Sequence, residues 1–374
     1  MKYYLVAGEA SGDLHGANLM KGIAKHDPQA EFRYFGGDLM SAQGGTLVKH
    51  YREMAFMGFL EVVKNLGTIK RNMAECQADI AAFEPDVVIL IDYPGFNFRI
   101  ARWAKERNLK VFYYIAPKVW AWKEGRVKRL KAHVDKLFII FPFEVEYFRK
   151  FGIEAHYEGN PLIDAMEQKR SQLPSYDEFI RMNHLPDVPI VALLAGSRAQ
   201  EVQKTLPLMK QVAKHFPHCQ FVVAGAPSLP KSFYTPYLDD GLVKLVYNQT
   251  YELFSVATAA LVTSGTATLE AALHNVPQAV CYRTSHVSAV IAKLFIKVKW
   301  VSLVNIIMNR EVVRELLQYD MTVEQMVDEL DALLPTGAKR EAILSDYREL
   351  QGMLGEVGSS ERTAKRMVEL LTQP

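Results

Sequence analysis

A short turn of small residues, Gly196-Ser197-Arg198, carries the clearest chemical signal in this sequence. It follows the apolar segment Ile190 to Leu194, which is typical of a buried strand, and it precedes a helical pattern. A strand-to-helix turn leaves backbone N–H groups free at the positive end of the helix dipole, and Arg198 adds a guanidinium. We therefore predict a phosphate-binding site at this turn.

A second turn of the same kind follows the apolar segment Ala259 to Val262. Its residues are Thr263-Ser264-Gly265-Thr266, and Glu270 lies one turn into the helix that follows. Two anion-binding turns in one half of a chain suggest a nucleotide diphosphate. Glu270 is placed to accept hydrogen bonds from both hydroxyls of a ribose, although an acid on the helix surface is a serious alternative.

Two further residues of the second half are candidates for contacts with a nucleotide sugar. Arg283 ends another apolar strand, and Asn305 follows the strand-like segment Trp300 to Val304. An ordinary surface residue is an even more serious alternative for Arg283 than for Glu270. A surface salt bridge is the alternative for Arg198, but it would not require the glycine turn that precedes this residue. The sequence contains no Asp-x-Asp pair, so a transferase built here would counter the charge of the leaving group with helix dipoles and Arg198. No metal and no cofactor are predicted.

Acidic residues follow two strands of the first half. Glu9 and Asp13 come after the strand Tyr3 to Ala7, and Asp92 ends the strand Val87 to Asp92. Because open parallel sheets bind ligands at the carboxyl ends of their strands, Asp92 is a candidate general base, with a helix cap or turn as an equally good interpretation. Glu9 has no evident structural role, whereas Asp13 or the neighbouring Ser11 could cap the next helix.

Aromatic and aliphatic residues mixed with cations suggest a surface that meets lipid. Trp120 and Trp122 stand among lysines and arginines, and the segment 57–72 is apolar on more than one face if helical, with Phe59, Val63 and Leu66 among its apolar residues. Such segments bind anionic membrane surfaces. Packing against the sheet is the alternative for the tryptophans, and a buried core helix is the alternative for 57–72.

Length and composition set the wider limits. A chain of 374 residues exceeds the usual size of one core, which predicts two domains. The net charge of +2 argues against nucleic-acid binding through a uniformly basic surface. The three cysteines, Cys76, Cys219 and Cys281, lack metal-ligand or redox spacing and fit a reducing cytosol. The N-terminus predicts a strand rather than a secretory signal, and no apolar run reaches the roughly 20 residues of a spanning helix.

Short apolar strands alternate with helical patterns in both halves of the chain, which predicts α/β domains with mostly parallel sheets. The proline-containing segment Met166 to Pro189 predicts a linker with a short helix. We place the first doubly wound domain at 1–168 and the second at 169–357, with a cleft at the carboxyl ends of both sets of strands. From Glu311 onward the pattern is almost entirely helical, and its last helix, Ser360 to Leu371, is predicted to have a serine N-cap. One option for residues 358–374 is to pack back on the first domain.

Six motifs together resemble the lipid-A-disaccharide synthase family almost from end to end. Each is weak alone, but their order and intervals are similar to those of the family. They are Gly8-Glu9-Ala10-Ser11-Gly12-Asp13, Ile91-Asp92-Tyr93-Pro94-Gly95-Phe96-Asn97, Val119-Trp120-Ala121-Trp122, Gly196-Ser197-Arg198, Ser264-Gly265-Thr266-Ala267-Thr268-Leu269-Glu270 and Val301-Ser302-Leu303-Val304-Asn305.

The resemblance implies a GT-B glycosyltransferase that is independent of metals. It would join UDP-2,3-diacylglucosamine to 2,3-diacylglucosamine 1-phosphate, known as lipid X, with inversion. The products would be a β-1,6-linked disaccharide 1-phosphate and UDP. The implied location is the cytoplasmic face of a Gram-negative inner membrane, where the enzyme would be a peripheral protein. Family likeness also permits a homodimer.

Carried over by position, the resemblance places Arg198, Asn305, Glu270 and Ser264 to Thr266 at the UDP-sugar. It places Glu9, Ser11, Gly12 and Asp13 on the acceptor side. Asp92 matches the first acid of a family pattern, Asp-x-Pro-Asp-Phe-Asn, whose second acid is replaced here by Gly95. The base would therefore be Asp92 or another acid, with Glu9 and Asp13 as the candidates.

Milder departures from the family pattern are Val304 in place of a proline, Lys118 in place of a serine and Ala195 in place of a proline. Two functions of other classes remain open from the sequence. A UDP-N-acetylglucosamine 2-epimerase-like enzyme would share the fold and much of the nucleotide site. A non-catalytic nucleotide-binding protein on the membrane would bind UDP without releasing it from any donor.

Overall fold

The computed structural model describes residues 1–54, 66–121, 124–238, 240–263, 265–283 and 299–373. The chain forms two compact units, the first made of Met1–Glu167 and Leu354–Pro374 and the second of Gln168–Met353. No helix in the described ranges is both long and apolar enough to cross a membrane.

The described part of the first unit contains a seven-stranded parallel sheet with the strand order β3-β2-β1-β4-β5-β6-β7. Its strands are β1 (Lys2–Ala7), β2 (Glu31–Gly36), β3 (Thr46–His50), β4 (Val87–Ile91), β5 (Val111–Tyr114), β6 (Lys136–Ile139) and β7 (Ala155–Tyr157). Its helices are α1 (Ala10–His26), α2 (Asp38–Ser41), α3 (Leu66–Phe83), α4 (Pro94–Lys105), α5 (Val127–His133), α6 (Phe143–Arg149), α7 (Pro161–Arg170), which runs across the boundary, and the C-terminal α16 (Ser359–Thr372).

Apolar residues cover both faces of this sheet, as expected for parallel strands beneath two layers of helices. Along β1, Tyr4 and Val6 belong to one core cluster, while Tyr3, Leu5 and Ala7 belong to the cluster on the other face. This division follows the two-residue period of a strand.

The described part of the second unit repeats the plan with a six-stranded parallel sheet in the order β10-β9-β8-β11-β12-β13. Its strands are β8 (Ile190–Leu194), β9 (Gln220–Gly225), β10 (Val243–Tyr247), β11 (Ala259–Val262), β12 (Gln278–Tyr282) and β13 (Glu315–Leu317). Its helices are α8 (Tyr176–Met182), α9 (Ala199–Val212), α10 (Thr235–Leu238), α11 (Thr250–Val256), α12 (Thr266–Leu273), α13 (Leu303–Met308), α14 (Val323–Leu333) and α15 (Arg340–Leu354), whose last residue belongs to the first unit.

In each unit the strand order reverses beside the first strand. The reversal falls between β1 and β4 in the first unit and between β8 and β11 in the second. The loops on either side of such a point diverge and leave a crevice at the carboxyl edge of the sheet. The segments singled out for chemistry in the sequence, around Glu9, Asp92, Arg198 and Gly265, follow these four strands.

The C-terminal helix α16 packs on α1 within the first unit. Ala364, Met367 and Val368 share a core cluster with Leu19 and Met20 of α1. The helices come so close that a Cβ added at Gly22 would lie 2.7 Å from the Cβ of Ala364. The last helix is thereby part of the first unit's core.

Several local predictions were wrong. The segment from Glu311 onward, predicted to be almost entirely helical, also contains the strand β13, which at three residues is too short to show a period. Trp300 to Val304 is not a strand, since Ser302 caps α13 by accepting a hydrogen bond from the Asn305 N–H.

The last helix begins after Gly358, whose φ of 96° suits glycine, and not after a serine cap. The Gly358 and Ser360 N–H groups instead donate to the Asp164 carboxylate at 2.6 and 2.7 Å. The acid that satisfies this helix end is distant in sequence, which a local pattern does not reveal.

Candidate functional site

Asp92 lies at the strand reversal of the first unit, immediately after β4. Its N–H donates to the carbonyl of Tyr114 at 3.0 Å, which extends the ladder to β5 by one residue. Its φ of 43° and that of Tyr93 at 45° are left-handed, so the chain turns sharply out of the sheet before α4 begins. Two consecutive non-glycine residues in this region are costly and are typical of functional sites.

Two buried side chains hold the backbone of Asp92 in place. The side-chain amide of Asn97 donates to the carbonyls of Asp92, Ile91 and Val6 at 2.8, 3.2 and 3.3 Å. The Tyr113 hydroxyl donates to the same Asp92 carbonyl at 2.6 Å. Asn97 thereby connects the carboxyl ends of β1 and β4.

Burial raises the pKa of the Asp92 carboxyl to about 6, and the negative charge of Glu9 acts in the same direction. The charge of Lys118 and a hydrogen bond from the Tyr93 N–H act against this rise in pKa. Desolvation lowers the pKa of Lys118, and the charges of Asp92 and Glu144 oppose that decrease. A carboxylate whose pKa lies near 6 accepts a proton more readily than an ordinary aspartate and suits a general base.

Two glycines beside Asp92 meet very different surroundings. A Cβ added at Gly8 would lie 2.3 Å from Cδ1 of the Tyr93 ring, so this close approach requires glycine. At Gly95 a Cβ would meet nothing within 4 Å. The position that carries a second acid in the family pattern therefore has room for a side chain.

Of the other acids predicted near the acceptor, Glu9 is exposed and Asp13 is buried. Glu9 is the N-cap residue of α1, so the prediction that Ser11 or Asp13 caps this helix was wrong. The Asp13 carboxylate instead accepts hydrogen bonds from the N–H groups of Gly37, Leu39 and Met40 at 2.8, 3.0 and 3.1 Å. This geometry gives Asp13 a structural role at α2 and leaves Asp92 and Glu9 as the acids available for chemistry.

Ser11 and Gly12 lie in the first turn of α1. Ser11 is exposed, and Gly12 is buried where an added Cβ would lie 3.2 Å from the Cβ of Ala7. Ser11 is therefore the member of this pair that can meet a ligand.

Trp120 is only 8% exposed and packs edge-on against Phe141 and Phe143. Its indole N–H donates to the buried Glu144 carboxylate at 2.8 Å, and burial raises the pKa of Glu144 to about 7. These contacts favour the packing alternative for Trp120 over a lipid-facing role. Trp122, Phe59 and Val63 lie outside the described residues, and Leu66 is described only as the first residue of α3.

The two predicted phosphate turns lie side by side in the second unit. β8 and β11 are hydrogen-bonded neighbours, and the Thr263 N–H donates to the Leu194 carbonyl at 2.8 Å. Gly196 and Gly265 have φ values of 120° and 135°, which favour glycine. Thr266 then begins α12, while Ser264 lies outside the described residues.

The prediction that the backbone amides of the first turn are free was wrong for two of them. The Glu201 carboxylate accepts hydrogen bonds from the N–H groups of Ser197 and Arg198 at 3.1 and 3.3 Å. The same carboxylate pairs with the Arg198 guanidinium at 3.3 Å, although 77% of the Arg198 side chain is exposed. An internal anion thus occupies the predicted phosphate position.

Glu270 lies one turn into α12, as predicted, and its carboxylate already accepts a hydrogen bond from a protein side chain. Its Oε1 accepts a hydrogen bond from the Tyr251 hydroxyl at 3.0 Å, and Lys169 lies over the Tyr251 ring at 4.7 Å. Burial raises the pKa of Glu270 against the lowering effects of Tyr251 and Lys169. Tyr251 orients this carboxylate, and nothing in the local sequence identified it.

Asn305 is fully buried, and its side chain is turned inward. Its Oδ1 accepts from the N–H groups of Val312 and Val313, and its Nδ2 donates to the Val313 carbonyl and to Glu315. All its hydrogen-bonding positions are filled by protein groups, so this geometry supports a structural role rather than direct contact with a nucleotide sugar. Arg283, in contrast, is exposed just beyond β12 at the carboxyl edge of the sheet.

The sequence analysis assigned no role to Asn97, although a quoted motif contains it, and did not single out Glu201 or Tyr251. A glutamate three residues into a helix is a known capping signal, but its usual partner is a serine or threonine, and the N-cap residue here is Arg198. Among the described residues, no cluster of three or more histidine, cysteine, aspartate or glutamate side chains could hold a metal ion.

Comparison with known families gives a match over nearly the whole chain. A family model described as lipid-A-disaccharide synthetase matches residues 3–367. The lipid-A-disaccharide synthase of Myxococcus xanthus (strain DK1622) is 38% identical over 98% of this chain and 97% of its own length. That of Coxiella burnetii (strain Dugway 5J108-111) is 33% identical over 98% of both chains.

Solved structures with a similar fold are more distant in sequence. The UDP-GlcNAc 2-epimerase of Neisseria meningitidis, solved with UDP-GlcNAc, has a TM-score of 0.66 at 14% identity and covers 99% of this chain and 100% of its own. A ugt transferase from Siraitia grosvenorii, solved with UDP, has a TM-score of 0.60 at 10% identity over 100% of both chains. Such similarity shows the fold alone and confirms the predicted GT-B-like α/β class with two sheets.

Proposed function

This chain belongs to the lipid-A-disaccharide synthase family, and we propose that it transfers 2,3-diacylglucosamine from UDP to the 6-hydroxyl of 2,3-diacylglucosamine 1-phosphate. The products would be a β-1,6-linked disaccharide 1-phosphate and UDP. Family membership makes the protein a glycosyltransferase of lipid A biosynthesis, and these substrates are the finer part of the proposal. The observation that carries it is the match to one family over residues 3–367.

The second unit would hold the UDP of the donor. Its two turns follow neighbouring strands, and backbone N–H groups, two helix N-termini and the Arg198 guanidinium are concentrated there. Such groups stabilise a diphosphate as negative charge develops on it during departure. The Glu270 carboxylate, oriented by Tyr251, would accept the ribose hydroxyls, and the exposed Arg283 is a further donor contact.

The first unit would supply the general base. Asp92 would take the proton of the acceptor 6-hydroxyl while that oxygen forms a bond to the anomeric carbon of the donor. The bond from this carbon to the diphosphate oxygen breaks at the same time, and its electron pair leaves with UDP. Attack from the face opposite UDP inverts the anomeric centre. Glu9, whose charge reaches Asp92, and the exposed Ser11 would lie near the acceptor.

Peripheral association with the cytoplasmic face of the inner membrane is part of this proposal, because both substrates carry acyl chains. It rests on the apolar and cationic residues of the segment 57–72 and on Trp122. Homodimer formation also stays a proposal that rests on family likeness.

The experiment incubates the purified protein with UDP-2,3-diacylglucosamine and 2,3-diacylglucosamine 1-phosphate in detergent and analyses the lipids by mass spectrometry. The proposal predicts the disaccharide 1-phosphate and an equal amount of UDP. A parallel reaction with UDP-N-acetylglucosamine alone tests the epimerase alternative. Epimerised sugar without disaccharide would replace the proposal with that alternative, and UDP binding without any product would favour the non-catalytic one.

A further inference from the structure

Glu201 lies on the phosphate turn in a way that the transfer reaction does not require. Its carboxylate accepts from the N–H groups of Ser197 and Arg198 and pairs with the Arg198 guanidinium. It lies against Gly196, where an added Cβ would be 2.6 Å from the Glu201 Cβ and 2.8 Å from its Oε2. The glycine of this turn therefore makes room for the carboxylate.

These contacts are the ones expected of a phosphate oxygen. A carboxylate and a phosphate are both anionic acceptors that favour backbone N–H groups at a helix N-terminus and an arginine guanidinium. One pair of amides cannot serve both anions at once. The Glu201 side chain is 17% exposed, so it has a route toward solvent.

We propose that Glu201 competes with the donor diphosphate for the Ser197 and Arg198 N–H groups. The Glu201 carboxylate accepts hydrogen bonds from these groups in the free protein, and a phosphate oxygen displaces it when UDP or UDP-sugar binds. The inference rests on the proposed donor site. Glu201 would keep the turn preformed and Arg198 nearby between turnovers, and its return would favour release of UDP.

The competition has a measurable size. A side-chain cap of this kind is typically worth about 1 kcal/mol, which corresponds to a ratio of about five between occupied and open turns. The apparent affinity of a ligand falls by the fraction of protein that can bind it. Removing the competitor should therefore tighten UDP binding about fivefold.

The test titrates UDP into the full-length wild-type protein and two variants by calorimetry. Glu201→Gln removes the charge and leaves a weaker, neutral acceptor for the two amides, and Glu201→Asp keeps the charge but draws the carboxylate back from both amides by one methylene. The matched control is Glu178→Gln, because Glu178 caps α8 of the same unit through Ser175 and lies in no proposed site.

We expect both Glu201 variants to bind UDP about fivefold more tightly than the wild type, with Glu178→Gln unchanged. Equal or weaker binding by Glu201→Gln would overturn the inference. Tighter binding by Glu201→Gln with wild-type binding by Glu201→Asp would also overturn it, because that pattern reflects charge alone. A wild-type protein that binds no UDP would instead overturn the proposed donor site.

Discussion

The side-chain amide of Asn97 donates to the main-chain carbonyl of Asp92 at 2.8 Å while it also reaches carbonyls at the ends of β1 and β4. Asn97 is fully buried, so its own position is fixed by packing. Asn97, together with the Tyr113 hydroxyl on the same carbonyl, therefore fixes the backbone at the point where Asp92 leaves the sheet. We infer that the proposed base is positioned from α4 and not only by its own strand.

Replacing Asn97 by alanine should lower both stability and turnover. Three carbonyls lose a buried donor, which costs about 2 kcal/mol of unfolding free energy, and the freed backbone no longer holds Asp92. We expect the UDP dissociation constant to stay near the wild-type value. Asn183→Ala is the control, because its amide donates to Phe179 and Gln249 in the second unit. A fall in turnover of the same size in both variants would argue against positioning by Asn97.

Replacing Asp92 by asparagine should reduce kcat about 100-fold or more, the usual contribution of a general base, and leave UDP affinity unchanged. The measurement is initial transfer rate at saturating substrates together with a UDP titration. Glu9→Gln is the comparison, since Glu9 is exposed and its charge acts on Asp92. Wild-type turnover in Asp92→Asn with loss of turnover in Glu9→Gln would move the base to Glu9.

The rate should depend on pH with the pKa of Asp92. Because burial raises this pKa to about 6, the carboxylate form dominates above pH 6, and the rate at pH 5 should be about tenfold below the plateau. The check is kcat/KM from pH 4.5 to 8, with circular dichroism to confirm folding at each pH. A flat profile across pH 6 would be inconsistent with Asp92 as the base.

The unfolding free energy should also depend on the protonation of Asp92, but it should fall with rising pH where the rate rises. The folded pKa of Asp92 lies above its unfolded value of about 3.9, so the folded state binds the proton more tightly and the unfolding free energy falls as pH rises from about 4 to 6. Asp92→Asn removes that loss. It should stabilise the protein at pH 7.5, by on the order of 3 kcal/mol, and have little effect at pH 4. Urea unfolding at the two pH values measures the difference.

Two glycines beside Asp92 should respond in opposite ways to alanine. Gly8→Ala would drive a methyl group into the Tyr93 ring and should cost about 1 to 3 kcal/mol. Gly95→Ala meets open space in the first turn of α4 and should be neutral or stabilising by up to about 1 kcal/mol. Thermal unfolding of the pair, each the control of the other, measures this contrast. A large loss in Gly95→Ala would contradict the open space at that position.

The two-sheet plan could be predicted from the sequence because the central strands are continuous apolar runs, such as Ile190–Leu194, that the structure reproduces residue for residue. Thr46–His50, Ala155–Tyr157 and Glu315–Leu317 could not, since short, partly exposed edge strands show no clear pattern. Their pairing depends on neighbours far away in the chain.

The sites were predictable to the extent that they depend on strand ends. Asp92, Glu9 and the two glycine turns lie where the carboxyl-edge rule placed them. The rule gives the position of a residue but not the direction of its side chain. Asn305 therefore could not be recognised as inward-facing, nor could Glu201 be recognised as the anion on the Ser197 amide.

We propose that the donor diphosphate binds the second unit at Gly196-Ser197-Arg198, and a crystal structure of the complex with UDP would show whether it does. We predict diphosphate oxygens within hydrogen-bond distance of the Ser197 and Arg198 N–H groups, the Arg198 guanidinium on the same phosphate, and Glu201 turned away. UDP bound at any other place, with the Glu201 carboxylate still on those amides, would contradict the account.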